Sequence, residues 1–195
     1  MNLINGLYYI PNYLTNDEIL KIEEYLLKSN EWFTLTKNPK SRKVIHFGYN
    51  YSYDRSGIKK IKDIPNFFSD LVTTEKINNK LGFELLKDKM DQLIINEYLP
   101  GQGISKHIDH IKYFGSIIIC LTIGSPVNIN FVEANNESNI KKIKVEIGSL
   151  YIMSGDSRYK WKHYIEQKKE DDGIKRMIRT SLTYRTINLP YSLNS

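Results

Sequence analysis

The second half of the chain carries an almost continuous β pattern, and this pattern restricts the fold more than any other feature of the sequence. From Asp91 onward, eight short β-type runs are separated by glycine, proline, asparagine and aspartate. The predicted strands cover residues 91–98, 104–109, 116–123, 127–132, 140–147, 149–153, 158–165 and 175–187. Many short strands bounded by turn residues are typical of a double-sheet jelly roll, the double-stranded β-helix.

Two helices are predicted before these strands. Thr15 and Glu18 have the spacing of a capping box, which predicts a helix over residues 16–28. Pro65 opens a second helical segment with an apolar stripe. The predicted fold class is therefore α+β, mainly β, with the N-terminal helices packed on one sheet of the jelly roll. With 41% hydrophobic residues, the chain fits one domain over residues 1–195.

Composition bears on the partner and the cellular compartment of the protein more than on its chemistry. The formal charge of +6 makes RNA or DNA a plausible partner, although many solvated surfaces are also rich in lysine. The single cysteine, Cys120, excludes an intrachain disulfide, and its apolar neighbours favour a small buried side chain over a nucleophile. Because the sequence shows no signal-like leader and no apolar run of membrane-spanning length, we expect an intracellular protein, cytoplasmic or nuclear, without a membrane partner.

Residues 37–55 combine two features of nucleic-acid-binding segments. Basic side chains occur at 37, 40, 42 and 43, and aromatic side chains follow at 47, 49, 51 and 53, with His46 between the two groups. Basic groups contact phosphates and aromatic faces stack on bases when single strands or flipped bases are bound. The same pattern also fits a hairpin with one aromatic face in the core and its lysines in solvent. The sequence does not decide between these alternatives.

His107 and Asp109 are candidate metal ligands. One residue separates them, so in an extended strand both side chains point to the same face and can chelate one ion. His163 is the natural candidate for a third ligand. Two histidines and one carboxylate form the facial triad of non-haem Fe(II) oxygenases, which leaves metal positions open for substrate and O₂. A His-x-Asp pair alone is weak evidence, because it occurs often by chance in ordinary polar strands.

One face of the last predicted strand carries polar residues, namely Arg179, Ser181, Thr183 and Arg185. If this face points into the jelly roll, two guanidinium groups are buried and must meet anions, because an unpaired buried charge is very unfavourable. Asp109 can serve one arginine, and a metal-bound dicarboxylate can serve the other through a bidentate pair. In the alternative arrangement both arginines face solvent on an edge strand.

Together these motifs resemble the AlkB-like dioxygenases that depend on Fe(II) and 2-oxoglutarate. The matching elements, in the family's order, are Asn96-x-Tyr98, His107-x-Asp109, the distal His163, and Arg179-x₅-Arg185. Further segments resemble the branch that hydroxylates modified wobble uridine in tRNA, namely Asp91-Gln92-Leu93, Pro100-Gly101-Gln102-Gly103-Ile104, Ser154-Gly155-Asp156-Ser157-Arg158-Tyr159 and Arg179-Thr180-Ser181. The resemblance extends from Gly6 to Ile187, and the combination is more specific than any single motif.

The resemblance implies a role for each of these residues. The Fe(II) ligands, which are also the catalytic residues, would be His107, Asp109 and His163. Contacts to the co-substrate 2-oxoglutarate, which reacts with O₂, would come from Asn96, Tyr98, Arg179, Ser181 and Arg185. The segment from Arg42 to Tyr49 resembles the start of a nucleotide-recognition lid. The predicted substrate-binding residues are Arg42, His46, Tyr49, Tyr51 and Arg158.

Three departures from the family pattern bear on the substrate. DNA-repair members commonly carry a base-recognising aspartate two residues after the iron aspartate, where this sequence has Ile111. Ser181 stands where many relatives have asparagine, although the wobble-uridine branch resembles this sequence there. Animal members of that branch are also fused to RNA-recognition and methyltransferase domains, for which this chain has no room. A separate methyltransferase or RNA-binding protein is therefore a predicted partner.

The predicted function is hydroxylation of a modified wobble uridine, with tRNA as the nucleic-acid partner. Oxidative N-demethylation of alkylated DNA or RNA is an alternative that uses the same iron site. Two further alternatives are hydroxylation of a protein and a non-enzymatic RNA-binding module.

Overall fold

The computed structural model describes residues 3–38, 41–52 and 57–188, apart from the side chains of residues 51 and 52. One sheet contains β1 (Leu7–Ile10), β2 (Phe33–Thr34), β3 (Lys43–Phe47), β6 (Gln92–Tyr98), β8 (Phe114–Ile123), β11 (Leu150–Met153) and β15 (Arg179–Ile187). A second contains β7 (Ile104–His107), β9 (Val127–Glu133), β10 (Asn136–Val145) and β12 (Trp161–Ile165). Two small hairpins pair β4 (Tyr49–Ser52) with β5 (Gly57–Lys60) and β13 (Glu170–Asp171) with β14 (Ile174–Lys175).

The two large sheets form a jelly-roll sandwich. Their strand orders are β1-β11-β8-β15-β6-β3-β2 and β10-β9-β12-β7. Apolar side chains from both sheets meet between them, for example Ile118 and Met153 from the larger sheet and Ile129 and Phe131 from the smaller. Removal of this surface from water stabilises the sandwich. The predicted jelly roll is confirmed, as an open sandwich and not as a closed barrel.

Three helices cover the outer face of the larger sheet, namely α1 (Asn16–Lys28), α2 (Asn66–Asp70) and α3 (Thr74–Leu81). Ile22, Phe68 and Ile77 from these helices share a core with Ile95 and Leu182 from the sheet, and all five side chains are fully buried. The prediction that N-terminal helices pack on one sheet is therefore confirmed. No helix among the described residues is long and apolar enough to cross a bilayer.

The helix α1 has its predicted limits because the capping box forms. The Glu18 carboxylate accepts a hydrogen bond from the Thr15 backbone N–H at 2.8 Å, and the Thr15 hydroxyl accepts one from the Glu18 N–H at 3.2 Å. These reciprocal bonds satisfy donors that the start of a helix leaves open. α2 is shorter than the apolar stripe suggested, since it ends at Asp70 while Leu71 and Val72 are buried beyond it.

The strand limits differ from the prediction at three places near the site. β7 ends at His107, so Asp109 lies beyond the strand and not within it. β12 begins only at Trp161, because a short helix, α4 (Gly155–Tyr159), occupies the preceding residues and is capped by Ser154. β15 begins at Arg179; of the residues predicted to extend it, Lys175 belongs instead to β14, where it pairs with Glu170.

Gly48 links β3 to the β4–β5 hairpin and permits an abrupt change of direction. Its φ is +77°, in the left-handed region, and a Cβ there would overlap the Asp91 carbonyl. The Gly48 N–H donates to the Lys62 carbonyl at 2.7 Å, and the Ile61 N–H donates to the Gly48 carbonyl at 2.9 Å. These contacts fix the hairpin beside the end of β3 that carries His46.

Candidate active site

Two histidines from neighbouring strands meet on the inner face of the smaller sheet. His107 on β7 pairs in register with His163 on β12, and their ring centroids are 4.2 Å apart. The His107 Nδ1 lies 2.8 Å from the Ser105 carbonyl oxygen, which can only accept a hydrogen bond. Nδ1 of His107 therefore carries the proton, and its Nε2 is left with a free lone pair for a metal.

Asp109 completes a group of three potential metal ligands. One ligand atom from each of His107, Asp109 and His163 lies within 4.8 Å of the others. Asp109 Oδ1 accepts a hydrogen bond from Arg185 Nη2 at 2.7 Å. Oδ2 is buried without a hydrogen-bond partner among the described residues and lies 3.6 Å from His163 Nε2. One carboxylate oxygen is thus held by the protein and the other is available to a cation.

Burial and neighbouring charges hold these groups in the forms that bind a metal. Burial alone would raise the pKa of Asp109, but the Arg185 guanidinium, followed by His163 and His107, holds it well below its usual range. Burial, reinforced by His107, lowers the pKa of His163 to about 3. At neutral pH Asp109 is charged and His163 is neutral, as metal ligation requires.

The donor set fits Fe(II). Two imidazole nitrogens and one carboxylate oxygen are the ligands of the facial triad found in non-haem Fe(II) oxygenases. A buried carboxylate oxygen without a donor is uncommon in native proteins and calls for a bound cation or water. The unpartnered Oδ2 of Asp109 is such an atom, and it lies beside the two histidines. Iron would satisfy this oxygen.

Arg179 is a buried cation without an anionic partner among the described residues. Arg179 is 4% exposed, and its Nη2 donates to the Thr122 hydroxyl at 2.9 Å, while Nε and Nη1 have no hydrogen-bond partner in the part of the chain that the structure describes. The guanidinium carbon lies 5.5 Å from the centre of the Tyr98 ring. A buried charge of this kind is stable only when an anion meets it, so the arrangement calls for an acidic ligand.

A cavity of about 590 Å³ connects the candidate metal ligands with most of the predicted co-substrate residues. Asn96, Tyr98, Ser181 and Arg185 all line it. Arg179 instead borders a smaller hollow, and Tyr98 lies on the walls of both spaces. Of the two arrangements considered for this face of β15, the structure has the inward one, with both arginines buried and Arg185 paired with Asp109.

Two of the predicted substrate-binding residues line the same cavity. Arg42 Nε donates to Asn96 Oδ1 at 2.9 Å, and its guanidinium carbon lies 5.7 Å from the centre of the Tyr98 ring. His46 is 5% exposed and forms part of the cavity wall. Within the 37–55 segment, β3 and the preceding Arg42 therefore lie against the site.

Other predicted substrate-binding residues lie elsewhere. Tyr49 is half-buried and packs against a small apolar cluster with Phe114 and Ile187, as in the alternative that placed one aromatic face in the core. The side chain of Tyr51 lies outside the described residues, as do residues 39–40 and 53–56 of the predicted nucleotide-recognition segment.

Arg158 does not line the cavity, in contrast to its predicted role in substrate binding. It is 2% exposed, and its guanidinium donates to three backbone carbonyls, those of Asp109 at 2.8 Å, Gly115 at 3.1 Å and Phe114 at 3.3 Å. The side chain therefore ties helix α4 to Asp109, in the loop after β7, and to the first two residues of β8. Its role in this structure is to hold the backbone of Asp109 in place.

Replacing Arg158 by methionine should lower the free energy of unfolding by about 3 kcal/mol, because three backbone carbonyl oxygens lose a charged donor. Urea denaturation measures the loss. Lys160→Met is the matched control, since Lys160 follows closely in the chain but is exposed; this variant should remain close to wild type. Equal stability of the two variants would show that these hydrogen bonds do not hold the loop.

Two residues that sequence analysis did not assign complete the surroundings of the arginines. Thr122 accepts the hydrogen bond from Arg179, and Gln92 Oε1 accepts one from Arg185 Nη1 at 3.1 Å. Both side chains are fully buried. Thr122 lies in the apolar end of β8, where a polar residue is unusual unless it has a buried partner, and that signal could have identified it. Gln92 begins β6, which also contains Asn96 and Glu97, so its sequence context gives no such signal.

The chain also has relatives among known proteins. A family model described as the 2OG-Fe(II) oxygenase superfamily matches residues 6–185. The Xenopus tropicalis protein tRNA (carboxymethyluridine(34)-5-O)-methyltransferase alkbh8 is 34% identical over 85% of this chain, which spans only 26% of that relative. Protein L905 of Acanthamoeba polyphaga mimivirus is 32% identical over 94% of this chain and 86% of its own length. The Alkylated DNA repair protein ALKBH8 homolog of Arabidopsis thaliana is 28% identical over 91% of this chain and 56% of its own.

Solved structures share the fold. The structure of OsALKBH1 superposes with a TM-score of 0.74 at 18% identity and covers 95% of this chain and 99% of its own. An oxidoreductase of the 2OG-Fe(II) oxygenase family from Burkholderia pseudomallei has a TM-score of 0.67 at 12% identity and covers 97% and 89% of the two chains. At such low identities the similarity establishes the architecture alone.

Proposed function

The chain belongs to the 2OG-Fe(II) oxygenase superfamily, and from this membership we propose that it hydroxylates a modified wobble uridine in tRNA. The protein is an AlkB-like dioxygenase with Fe(II) as cofactor and 2-oxoglutarate and O₂ as co-substrates. The observation that carries the proposal is the cluster of His107, Asp109 and His163, which opens into the same cavity as His46. The three candidate iron ligands and His46, a candidate for contact with a base, thus line the same cavity.

The chain's own residues would hold each component. Iron bound by His107, Asp109 and His163 would activate O₂, with one oxygen atom passing to a substrate C–H bond and the other to succinate as CO₂ leaves. Arg185 holds Asp109 Oδ1, which keeps the carboxylate ionised and leaves Oδ2 for the ion. Arg179 has no anionic partner among the described residues. It suits the distal carboxylate of 2-oxoglutarate, since a guanidinium binds a carboxylate through paired hydrogen bonds.

Two observations favour uridine as the substrate. The name of the Xenopus relative specifies carboxymethyluridine at position 34 of tRNA, although it describes a methyltransferase and this chain spans a minor part of that protein. Ile111, two residues beyond Asp109, is 60% exposed and offers no carboxylate to a cationic methylated base. A neutral uracil with an oxidisable side chain at C5 does not require a carboxylate at position 111.

Oxidative N-demethylation of alkylated DNA or RNA is the second candidate. It is favoured by the name of the Arabidopsis relative, an alkylated DNA repair protein homolog. The two reactions use the same iron site but differ in their products. At an N-methyl group the hydroxylated intermediate loses formaldehyde, whereas at a C5 side chain of uridine the hydroxyl group remains. A protein substrate, a separate methyltransferase or RNA-binding partner, and a single domain over residues 1–195 also remain predictions.

The substrate assay should separate these products. Iron-loaded protein with 2-oxoglutarate is incubated with an anticodon stem-loop RNA that carries a 5-carboxymethyl-type wobble uridine, and in parallel with oligonucleotides that carry N-methylated adenine or cytosine. We expect the stem-loop to gain one oxygen atom by mass spectrometry, without formaldehyde. Formaldehyde from the methylated oligonucleotides, with no oxidation of the stem-loop, would replace the proposed function by demethylation.

A further inference from the structure

A row of side chains crosses the larger sheet and forms one wall of the cavity. The strand register aligns His46 with Ile94, Ile94 with Thr183, Thr183 with Cys120, and Cys120 with Tyr151. All five residues line the cavity. His46 therefore stands at the β3 end of the row and Tyr151 at the β11 end. A ligand that extends through the cavity from the metal ligands toward β3 therefore contacts His46.

The hydrogen-bonding state of His46 is set by its neighbour. Nδ1 lies 2.8 Å from the side-chain oxygen of Asn50, and an amide oxygen only accepts hydrogen bonds. Nδ1 therefore carries the ring proton and Nε2 presents a lone pair. Nε2 is buried and has no partner among the described residues. Burial lowers the pKa of His46, and the charges of Arg185 and Arg42 lower it further. The hydrogen bond with Asn50 raises it by less than these effects lower it, so the ring is neutral at physiological pH.

The ring is also held in a fixed orientation. The Phe33 ring contacts it edge-on, with centroids 5.0 Å apart and planes at 72°. With Nδ1 tied to Asn50 and one face against Phe33, His46 has little freedom to turn Nε2 toward another donor. A buried acceptor without a donor is unfavourable, and a ligand that supplies an N–H group relieves this cost.

We propose that His46 determines base specificity by accepting a hydrogen bond at Nε2 from the N3–H of the substrate uracil ring. This inference rests on the proposed function, because it takes a uridine as the occupant of the cavity. Uracil has a single ring N–H donor when it is attached to ribose, and that donor lies on its Watson–Crick edge. A buried site that is built to pair with a donor rejects an otherwise similar ligand that lacks it. N3-methyluridine is the simplest such ligand.

The test compares two stem-loop RNAs that carry the same 5-substituted wobble uridine, one with N3–H and one with N3-methyl. Wild-type protein should oxidise the N3–H form about 10-fold to 100-fold faster at subsaturating RNA, the factor that corresponds to leaving one buried acceptor unpaired. His46→Phe keeps a flat ring but removes the acceptor, and its rate ratio should fall toward unity. His46→Gln places an amide oxygen near the position of Nε2 and should restore part of the preference. Because each ratio is taken within one protein, losses of folded enzyme cancel.

A second readout does not depend on turnover. Proton–nitrogen NMR correlations of the His46 ring should show a protonated Nδ1 and an unprotonated Nε2, and Asn50→Leu should allow the other tautomer. A protonated Nε2 in the wild type, or an unchanged rate ratio in His46→Phe, would overturn the role of His46 while leaving the proposed function in place. If the wild type converts 2-oxoglutarate but oxidises neither uridine stem-loop, the proposed function fails, and the inference fails with it.

Discussion

Replacing Asp109 by asparagine should reduce the conversion of 2-oxoglutarate to succinate by at least about 100-fold, because loss of a ligand should exceed the cost of losing an outer-shell partner. The neutral amide lacks the charge that attracts a divalent cation. It also leaves the buried Arg185 guanidinium without its anion. Succinate formation and bound iron per folded protein measure the effect, and both should fall together.

The protein contains a matched control for this substitution. Asp171 is also a buried aspartate that binds an arginine, with Arg176 Nε 2.7 Å from Oδ2 and Nη2 2.8 Å from Oδ1. It is not among the residues that line the large cavity. Asp171→Asn should destabilise the fold by breaking a buried pair, but the remaining folded protein should still bind iron and form succinate. An equal loss of specific activity in both variants would mean that Asp109→Asn acts through unfolding and not through the metal.

Replacing Arg179 by methionine should raise the dissociation constant for 2-oxoglutarate about 10-fold to 100-fold. This factor corresponds to the loss of charge-assisted hydrogen bonds worth about 1.5–3 kcal/mol. The same substitution should leave the free energy of unfolding unchanged or higher when 2-oxoglutarate is absent. The reason is that the wild-type guanidinium is buried with two unpartnered nitrogens, and methionine removes that cost.

Arg176→Met provides the contrast. Both arginines border the same small hollow, but Arg176 is already paired with Asp171. Its loss should lower the free energy of unfolding by about 3–5 kcal/mol, as for other buried pairs that lose one partner. Thermal denaturation with and without 2-oxoglutarate separates the two variants. At 100 times its dissociation constant the ligand stabilises a protein by about 2.7 kcal/mol, and Arg179→Met should lose about half of this gain or more. A full ligand-induced shift in Arg179→Met would contradict the assignment of Arg179 to the distal carboxylate.

Strand periodicity and the family resemblance together located the site residues. The alternation along β15 placed Arg179, Ser181 and Arg185 on one face but left open whether that face points inward, and the resemblance implied their roles. The capping box fixed α1 for a similar reason, since the bonds that begin the helix lie within four residues. Features of this kind are local, and local chemistry can be predicted from spacing.

Features that depend on contacts between distant segments could not be predicted in this way. The spacing of His107 and Asp109 suggested one strand face, yet the strand ends at His107 and Arg158, from far along the chain, holds the Asp109 carbonyl. Arg158 lies in α4, where the sequence predicted a strand, because one capped turn of helix competes well with a short β segment. Tyr49 has the sequence context of a base-stacking residue, but it packs against the cluster of Ile58, Phe114 and Ile187.

The pairing of Asp109 with Arg185 also bears on the denticity of the carboxylate. Because the guanidinium holds Oδ1, Oδ2 is the oxygen without a partner among the described residues, and this favours coordination of an ion through Oδ2 alone. With the two histidines, the protein would then offer three donor atoms to Fe(II), the number in a facial triad, and positions on the ion would stay open for the co-substrates. A second oxygen from Asp109 would take one of those positions. The arginine therefore limits how many donors the protein would offer to the ion.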